Sequence, residues 1–293
     1  MPAPLHGSYL HPIHRVTVGE TDVTTVRDGA LTMEVSPPFL LDHNAEDIAQ
    51  ISAAAHLPAT QIENGFTPTL VNTGSKLVLF DTGFGAMGRD KGAGNLRQNL
   101  ALAGYAPEDI DVIAFTHMHP DHIGGLLEDG KPAFPNAQLM IGRREFDEWF
   151  SGASIPPQRA QNRDLFLKII APLADQFTFL EDGSEVCSGV TAMAAFGHSL
   201  GHMMYHLESG GDRALVWGDV ANHYVYSVEH PDSPVGFDDD KDMAIATRKR
   251  VLDMVHTDGI LVAGHHMPFP SIGYIERGGD KYRWVPASYQ HRI

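Results

Sequence analysis

Three imidazoles and a carboxylate fall within six consecutive positions, His117-Met118-His119-Pro120-Asp121-His122. Neutral imidazole nitrogen and ionised carboxylate oxygen suit zinc, iron or manganese. The run Asp111-Val112-Ile113-Ala114-Phe115 precedes the cluster and Gly124-Gly125 follows it, which reads as a buried strand ending in metal-ligand side chains. Packing alone does not explain such an ending. Six adjacent residues cannot complete two metal shells, so further donors are expected elsewhere. Three later segments repeat the context: Phe196-Gly197-His198, Trp217-Gly218-Asp219 and Ala263-Gly264-His265 each carry an apolar stretch into a glycine and then a His or Asp. Glycine lets the backbone turn tightly beside a crowded site. Strand ends that each deliver a donor predict one shared edge of a sandwich.

The elements that position these donors follow from periodicity and turn residues. Residues 16–27 read as a hairpin around Gly19-Glu20, and 45–56 as a helix with Asn44 as its N-cap. Strands are expected at 67–72 and 76–80, the second running into Asp81-Thr82-Gly83, then a helix at 95–103 and strands at 111–115 and 137–141. Helices follow at 143–150 and 159–170, and strands at 177–180, 190–195, 203–207 and 214–217. A long helix fits 241–256, before strands at 260–263, 272–275 and 282–285, the last two flanking Arg277-Gly278-Gly279-Asp280. No composition shift marks a linker. The expectation is a single α/β domain over 1–293 with two sheets, residues 1–14 forming an extended arm.

Composition narrows the function. Lys+Arg is 21 and Asp+Glu is 37, a formal charge of −16 that repels phosphate backbones and argues against a nucleic-acid partner. The single cysteine, Cys187, permits no intrachain disulfide and no thiolate cluster, and reads as a small buried apolar residue. No stretch approaches the ~18 apolar residues of a membrane helix. The first residues lack a basic segment and an apolar run, so a cytoplasmic location is expected, with the periplasm left open.

Taken in order, His117-Met118-His119-Pro120-Asp121-His122, His198, Asp219 and His265 resemble the five-motif signature of the metallo-β-lactamase superfamily, with Asp81 in Phe80-Asp81-Thr82-Gly83 resembling its first motif. The resemblance implies a four-layer αβ/βα sandwich. It implies two divalent metal ions, zinc first, with iron, manganese or cobalt as alternatives. His117, His119 and His198 would hold the first ion; Asp121, His122 and His265 the second; Asp219 would bridge them. A hydroxide between the ions would be the nucleophile. Asp121 and Asp219 are the catalytic candidates, and Asp81 would orient a ligand histidine. Several stretches resemble the methyl parathion hydrolase and lactonase-like group: residues 70–83, Val216-Trp217-Gly218-Asp219, Ala246-Thr247-Arg248, residues 263–273 and Tyr282-Arg283-Trp284-Val285-Pro286. That group implies hydrolysis of a lactone, carboxylic ester or phosphotriester, a small-molecule substrate, and often a homodimer. A glyoxalase II-like thioesterase is the alternative, and a non-catalytic metal-binding domain comes third.

Small acyl-homoserine lactonases of the superfamily carry Tyr three residues after the bridging Asp; here that residue is Asn222, followed by His223 and Tyr224. A Tyr-assisted mechanism therefore does not carry over. His202 is expected behind the site or in the core. His266 is open, with pointing away favoured over a role in proton transfer. Phe269, Phe84 and Phe150 are candidates for the pocket wall. Asp238-Asp239-Asp240-Lys241-Asp242 reads as acidic capping of the long helix, with Arg248, Lys249 and Arg250 toward its other half.

Overall fold

The protein is described by a computed structural model covering residues 3, 5–6, 9–279 and 281–287. Five of the first eight residues of the expected arm, and Asp280 of the expected turn, lie outside the described residues. Ile13 and His14, at the end of the expected arm, pair in the first strand.

β1 (Ile13–Val18) and β2 (Thr21–Val26) form the expected hairpin. β3 (Gly29–Glu34) pairs with β4 (Gln61–Phe66) in a separate ribbon, with α1 (Ala45–Ala54) between them in sequence. This ribbon is not evident from the sequence, because both strands are poor in β-branched residues. Asn44 caps α1 as expected, its side chain accepting from Glu46 and Asp47 N–H. The first half continues through β5 (Thr69–Asn72), β6 (Leu77–Phe80), α2 (Leu96–Leu102), β7 (Val112–Phe115) and the single turn α3 (Pro120–Ile123). A small ribbon follows, β8 (Leu127–Glu128) with β9 (Lys131–Pro132), then β10 (Gln138–Gly142), α4 (Arg143–Ser151), α5 (Ala160–Ile169) and β11 (Phe177–Leu180). The second half runs β12 (Glu185–Cys187), β13 (Val190–Ala194), β14 (Met203–Ser209), β15 (Asp212–Val216), α6 (Lys241–Asp258), β16 (Leu261–Ala263), β17 (Ile272–Gly278) and β18 (Lys281–Pro286).

Two seven-stranded sheets result, ordered β1-β2-β5-β6-β7-β10-β11 and β12-β13-β14-β15-β16-β17-β18. Strand alternation builds the layers. In β6 and β7, Val78, Phe80, Val112 and Ala114 face the second sheet, while Leu79, Ile113 and Phe115 face the helices outside. β15 does the same, with Ala214 and Val216 inward and Leu215 packed with Val251, Leu252 and Val255 of α6. The order is helices, sheet, sheet, helix: the expected αβ/βα sandwich. A separate apolar cluster joins Phe39, Ile48 and Ile62 to Val225 and Tyr226, fastening α1 and β4 over one edge of the sandwich. Cys187 is half-buried against the inter-sheet core.

The acidic run before α6 divides its work. Asp240 caps the helix, accepting from Met243 N–H, but Asp238 is buried and pairs with Arg248 at 2.8 Å, and Asp239 pairs with Arg159 at 3.0 Å. Arg248 is therefore drawn into the interior rather than lying along the helix exterior, because an inward i+8 position from Asp240 meets a buried carboxylate.

Asp28, buried after β2, accepts from the N–H groups of Phe84, Gly94 and Leu96 and so pins the segment behind β6. Burial raises its pKa despite these three bonds. Asp28→Ala leaves three amides without their acceptor, and a loss of about 3 kcal/mol is expected, read as a lower urea midpoint with unchanged m-value.

Candidate metal centre

The donors collect where strands of both sheets end. β7 runs through Thr116 into His117, and Pro120 starts α3 immediately after His119. Proline fits the first position of a helix, and the single turn aims Asp121 and His122 back toward His117. His198 follows β13, Asp219 follows β15, and His265 and His266 follow β16. Gly218 has φ +57°, and a Cβ there would lie 2.6 Å from His202 Nε2, so only glycine fits the turn that delivers Asp219.

All seven expected donors come together, and His266 joins them. Among the described residues three overlapping groups form: His117, His119 and His198; His117, His122 and Asp219; Asp121, His122, His265 and His266. His119 Nδ1 lies 2.9 Å from His117 Nε2 and 3.0 Å from His198 Nε2, and His198 Nε2 lies 3.2 Å from Asp219 Oδ2. On the other side, His122 Nε2 is 3.3 Å from Asp219 Oδ1 and 3.5 Å from Asp121 Oδ2. Donors sharing one tetrahedral cation at 2.0–2.1 Å stand about 3.3 Å apart, the spacing of these pairs. The clusters suit two metal ions.

His266 corrects the expectation that it points away. Its Nε2 is 3.0 Å from Asp219 Oδ2 and 3.4 Å from Asp121 Oδ2, and its Nδ1 is 2.9 Å from the Gly65 carbonyl. The β4 backbone thus draws the ring inward, a long-range contact invisible to local sequence. His265 lies beside it, its ring tilted against that of His122 with centroids 4.1 Å apart and its buried Nε2 lacking a hydrogen-bond partner.

The rings are held from behind, as metal-ligand histidines commonly are. Asp81 accepts from Thr116 N–H and hydroxyl and contacts His122 Nδ1 at 2.8 Å, the orienting role expected of it. Asp81 itself has φ +64°, a left-handed backbone kept by this network. Asp238 contacts His198 Nδ1 at 3.0 Å. His202, as expected, stands behind the site, where its Nε2 accepts from Asp219 N–H at 3.0 Å. Asn222 donates to Asp219 Oδ2 at 2.9 Å. His223 does not reach the donors; its Nδ1 accepts from Val225 and Tyr226 N–H at the start of a π-helical turn, Tyr224–Glu229.

Sequence reasoning missed Glu145 on α4. Its fully buried carboxylate accepts from Met118 N–H, Gly201 N–H, Trp149 Nε1 and the Ser199 hydroxyl, cross-linking the two loops that carry His117, His119 and His198. Nothing local marks it; its partners lie 27 and 56 residues away.

Electrostatics supports the donor reading. Burial drives His117, His119 and His265 well below the ordinary imidazole range, leaving neutral nitrogens. Burial also opposes charge on His122, His198 and His266, yet the surrounding carboxylates, Asp219 foremost, overcome it and raise all three, His198 to about 9. Asp219 and Asp121 are pulled low against their burial by the same imidazoles. The carboxylates demand positive charge inside a buried site, and divalent cations supply it without protons. His122 Nε2 and Asp219 Oδ1, both buried, have no hydrogen-bond partner and face this gap.

The donors floor a cavity of about 280 Å³ lined by Leu31, Met33, Phe66, Phe84, Phe237 and Arg159. Phe84 is thus a wall residue as expected. Phe269 lines a neighbouring cavity instead, and Phe150 stacks on Phe146 at the surface.

Residues 67–265 match the profile of the metallo-beta-lactamase superfamily, and the chain belongs to that superfamily. It is similar to an N-acyl homoserine lactonase of Bacillus cereus, 28% identical over 167 residues, or 57% of this chain and 60% of that enzyme. The match thus spans about three-fifths of the curated relative. Two solved structures are similar over nearly the whole chain. One is AidC, a dizinc quorum-quenching lactonase in complex with an N-hexanoyl-L-homoserine product (TM-score 0.89, 26% identity, 95% of this chain and 98% of that one). The other is the hydrolase AbOPH of the beta lactamase superfamily (TM-score 0.87, 26% identity, 97% and 100%). No helix among the described residues is long and apolar enough to cross a membrane.

Two expectations follow. Elemental analysis should find two metal ions per chain, and His119→Ala should lose at least one; comparing His265→Ala with His266→Ala identifies which ring holds the second ion more strongly. Glu145 sets a pH dependence. Burial pushes its carboxyl to about 7, above the ordinary 4.5, so its stabilising contribution is full below pH 4.5 and lost as pH rises to about 7. In metal-stripped protein, wild-type stability relative to Glu145→Gln should fall by about 3 kcal/mol across that window; parallel curves would contradict the assignment.

Proposed function

We propose that the protein is a metal-dependent hydrolase that opens lactones at a dinuclear centre, with zinc as the metal. The observation that carries this reading is the convergence of eight histidine and aspartate donors, from strand ends of two sheets, beneath one largely apolar cavity that five of them line. His117, His119 and His198 would hold one ion, and Asp121 and His122 with the His265–His266 pair the other, Asp219 standing between them. Two cations bound there would supply a water of lowered pKa and polarisation of the scissile carbonyl.

The protein's own groups do the rest. Asp81 and Asp238 fix the rings of His122 and His198. Asn222 and His202 hold Asp219 by its carboxylate and its amide. Asp121, 16% exposed against 3% for Asp219, is the acidic donor that opens to the cavity and is placed to take the proton of the attacking water and return it to the leaving alkoxide. Leu31, Phe66, Phe84 and Phe237 exclude bulk water and favour an uncharged substrate.

A neutral aryl ester or phosphotriester is the second reading, favoured by the same aromatic walls. A glutathione thioester is less well served: Arg159 is the one Lys or Arg among the described lining residues, and it is already paired with Asp239. A homodimer is part of this proposal; Tyr9, Leu10 and Leu41 are exposed apolar side chains available to it.

The test is a panel on metal-quantified enzyme: acyl-homoserine lactones, aryl esters, phosphotriesters and S-lactoylglutathione. Lactones should give the largest kcat/KM. His119→Ala and Asp219→Ala should each lower it about a thousandfold or more with the circular dichroism spectrum retained. A metal-free enzyme of full activity contradicts the reading. Light scattering should return twice the chain mass.

A further inference from the structure

The buried face of α6 carries one charged side chain. Ala244, Val251, Leu252 and Val255 are apolar there, and the fully buried Arg248 interrupts them. Its guanidinium serves two separate loops. Nη2 donates to Asp238 Oδ2 at 2.8 Å, and Asp238 Oδ1 accepts from His198 Nδ1 at 3.0 Å, which leaves His198 Nε2 as the nitrogen available to a cation. Nε donates to the carbonyl of Val220, the residue after Asp219, at 3.2 Å. Nη1 donates to the Pro231 and Ser233 carbonyls at 3.1 and 3.2 Å. One planar group therefore stands behind His198 and behind Asp219 at once.

Stability alone does not account for it. Apolar side chains of similar volume commonly replace a buried ion pair with no loss of stability. Nor does the His198 loop need it as an anchor. That loop is already fastened to the start of α6: Phe196 O accepts from the Thr247 hydroxyl at 2.7 Å, and Gly197 O and His198 O accept from Asp240 N–H and Asp239 N–H, both at 3.0 Å. What the guanidinium adds is the connection between this loop and the one that leaves Asp219. A rigid fork of donors meets all four acceptors, whereas a lysine ammonium is a single point charge. We propose that Arg248 is a positioning residue of the metal centre, fixing the spacing between His198, a ligand to the first ion, and Asp219, the ligand shared by both. It acts through the Asp238 carboxylate on one side and the Val220 carbonyl on the other, and touches neither ion nor substrate. The spacing it guards is the 3.2 Å between His198 Nε2 and Asp219 Oδ2. This inference rests on the dinuclear-centre reading and names a residue on which the geometry of that centre depends.

The experiment titrates zinc into metal-stripped protein against a competing chelator, and records the visible absorption of the cobalt(II)-loaded protein. Arg248→Met should weaken binding of at least one of the two zinc ions by about tenfold to a hundredfold, the scale of losing a group that orients a ligand from behind, and should shift the cobalt bands. Arg248→Lys keeps a charge facing Asp238 but not the bonds to the carbonyls. It should weaken binding less and shift the bands in the same direction, and it carries the test if the methionine variant does not fold. Val255→Ala, about two turns further along the buried face of α6, should lower the urea midpoint while keeping wild-type zinc affinities and cobalt bands. Wild-type affinities and bands in the Arg248 variants, or the same weakening in Val255→Ala, overturn the inference while leaving the dinuclear centre standing. Wild-type protein that takes up fewer than two zinc ions overturns the dinuclear reading, and this inference with it.

Discussion

Two carboxylates, the buried Asp219 and the partly exposed Asp121, face a ring of imidazoles in the gap between two sheets, and their charge needs an answer. Burial disfavours ionisation of every group present, yet the carboxylates stay ionised and pull protons onto His122, His198 and His266. Cations resolve this conflict, since they satisfy the carboxylates and leave neutral imidazoles as ligands. Much of the surrounding structure keeps the rings in place: Asp81 behind His122, Asp238 behind His198, Gly65 behind His266, and Glu145 between the loops bearing His117 and His198. Loss of any of these supports would blur donor positions before it altered the fold.

The ligand residues were legible in the sequence because their chemistry is conspicuous. Three histidines in six positions after an apolar run, and three Gly-His or Gly-Asp strand ends, mark themselves without tertiary information. Most strands and helices were legible too, since β6, β7, β15 and α6 carry strong apolar patterns. The supports were not. Glu145 looks like an ordinary helical acid until α4 packs behind both loops. Asp238 and Asp239 looked like capping residues beside Asp240, and only the packing of Arg248 and Arg159 separates the three. His266 was undecidable locally, because a one-residue choice between neighbours depends on the Gly65 carbonyl two hundred residues away.

The cover of the site was the least legible part. β3, α1 and β4 form an excursion whose strands lack β-branched content, and it is fastened by contacts distant in sequence. The Ser52 and Tyr226 hydroxyls meet at 2.8 Å in a cluster that joins α1 to the π-helical turn after Asn222. That joint places β4, with Asn64 and Phe66, opposite Asn222 across the cavity. The metal floor and the substrate-facing wall are therefore built by different logic: the floor by strand ends of the sandwich, the wall by an excursion clamped onto it. The metal donors stand in the floor, and the excursion supplies Asn64 and Phe66 to the wall.

The most direct test of the account is anomalous scattering at the zinc edge from crystals grown with zinc. Two peaks are predicted. One should lie among His117, His119 and His198, the other among Asp121, His122 and the His265–His266 pair, with Asp219 in contact with both. A single peak, or two peaks elsewhere, would contradict the claim that this buried set of donors is a dinuclear centre.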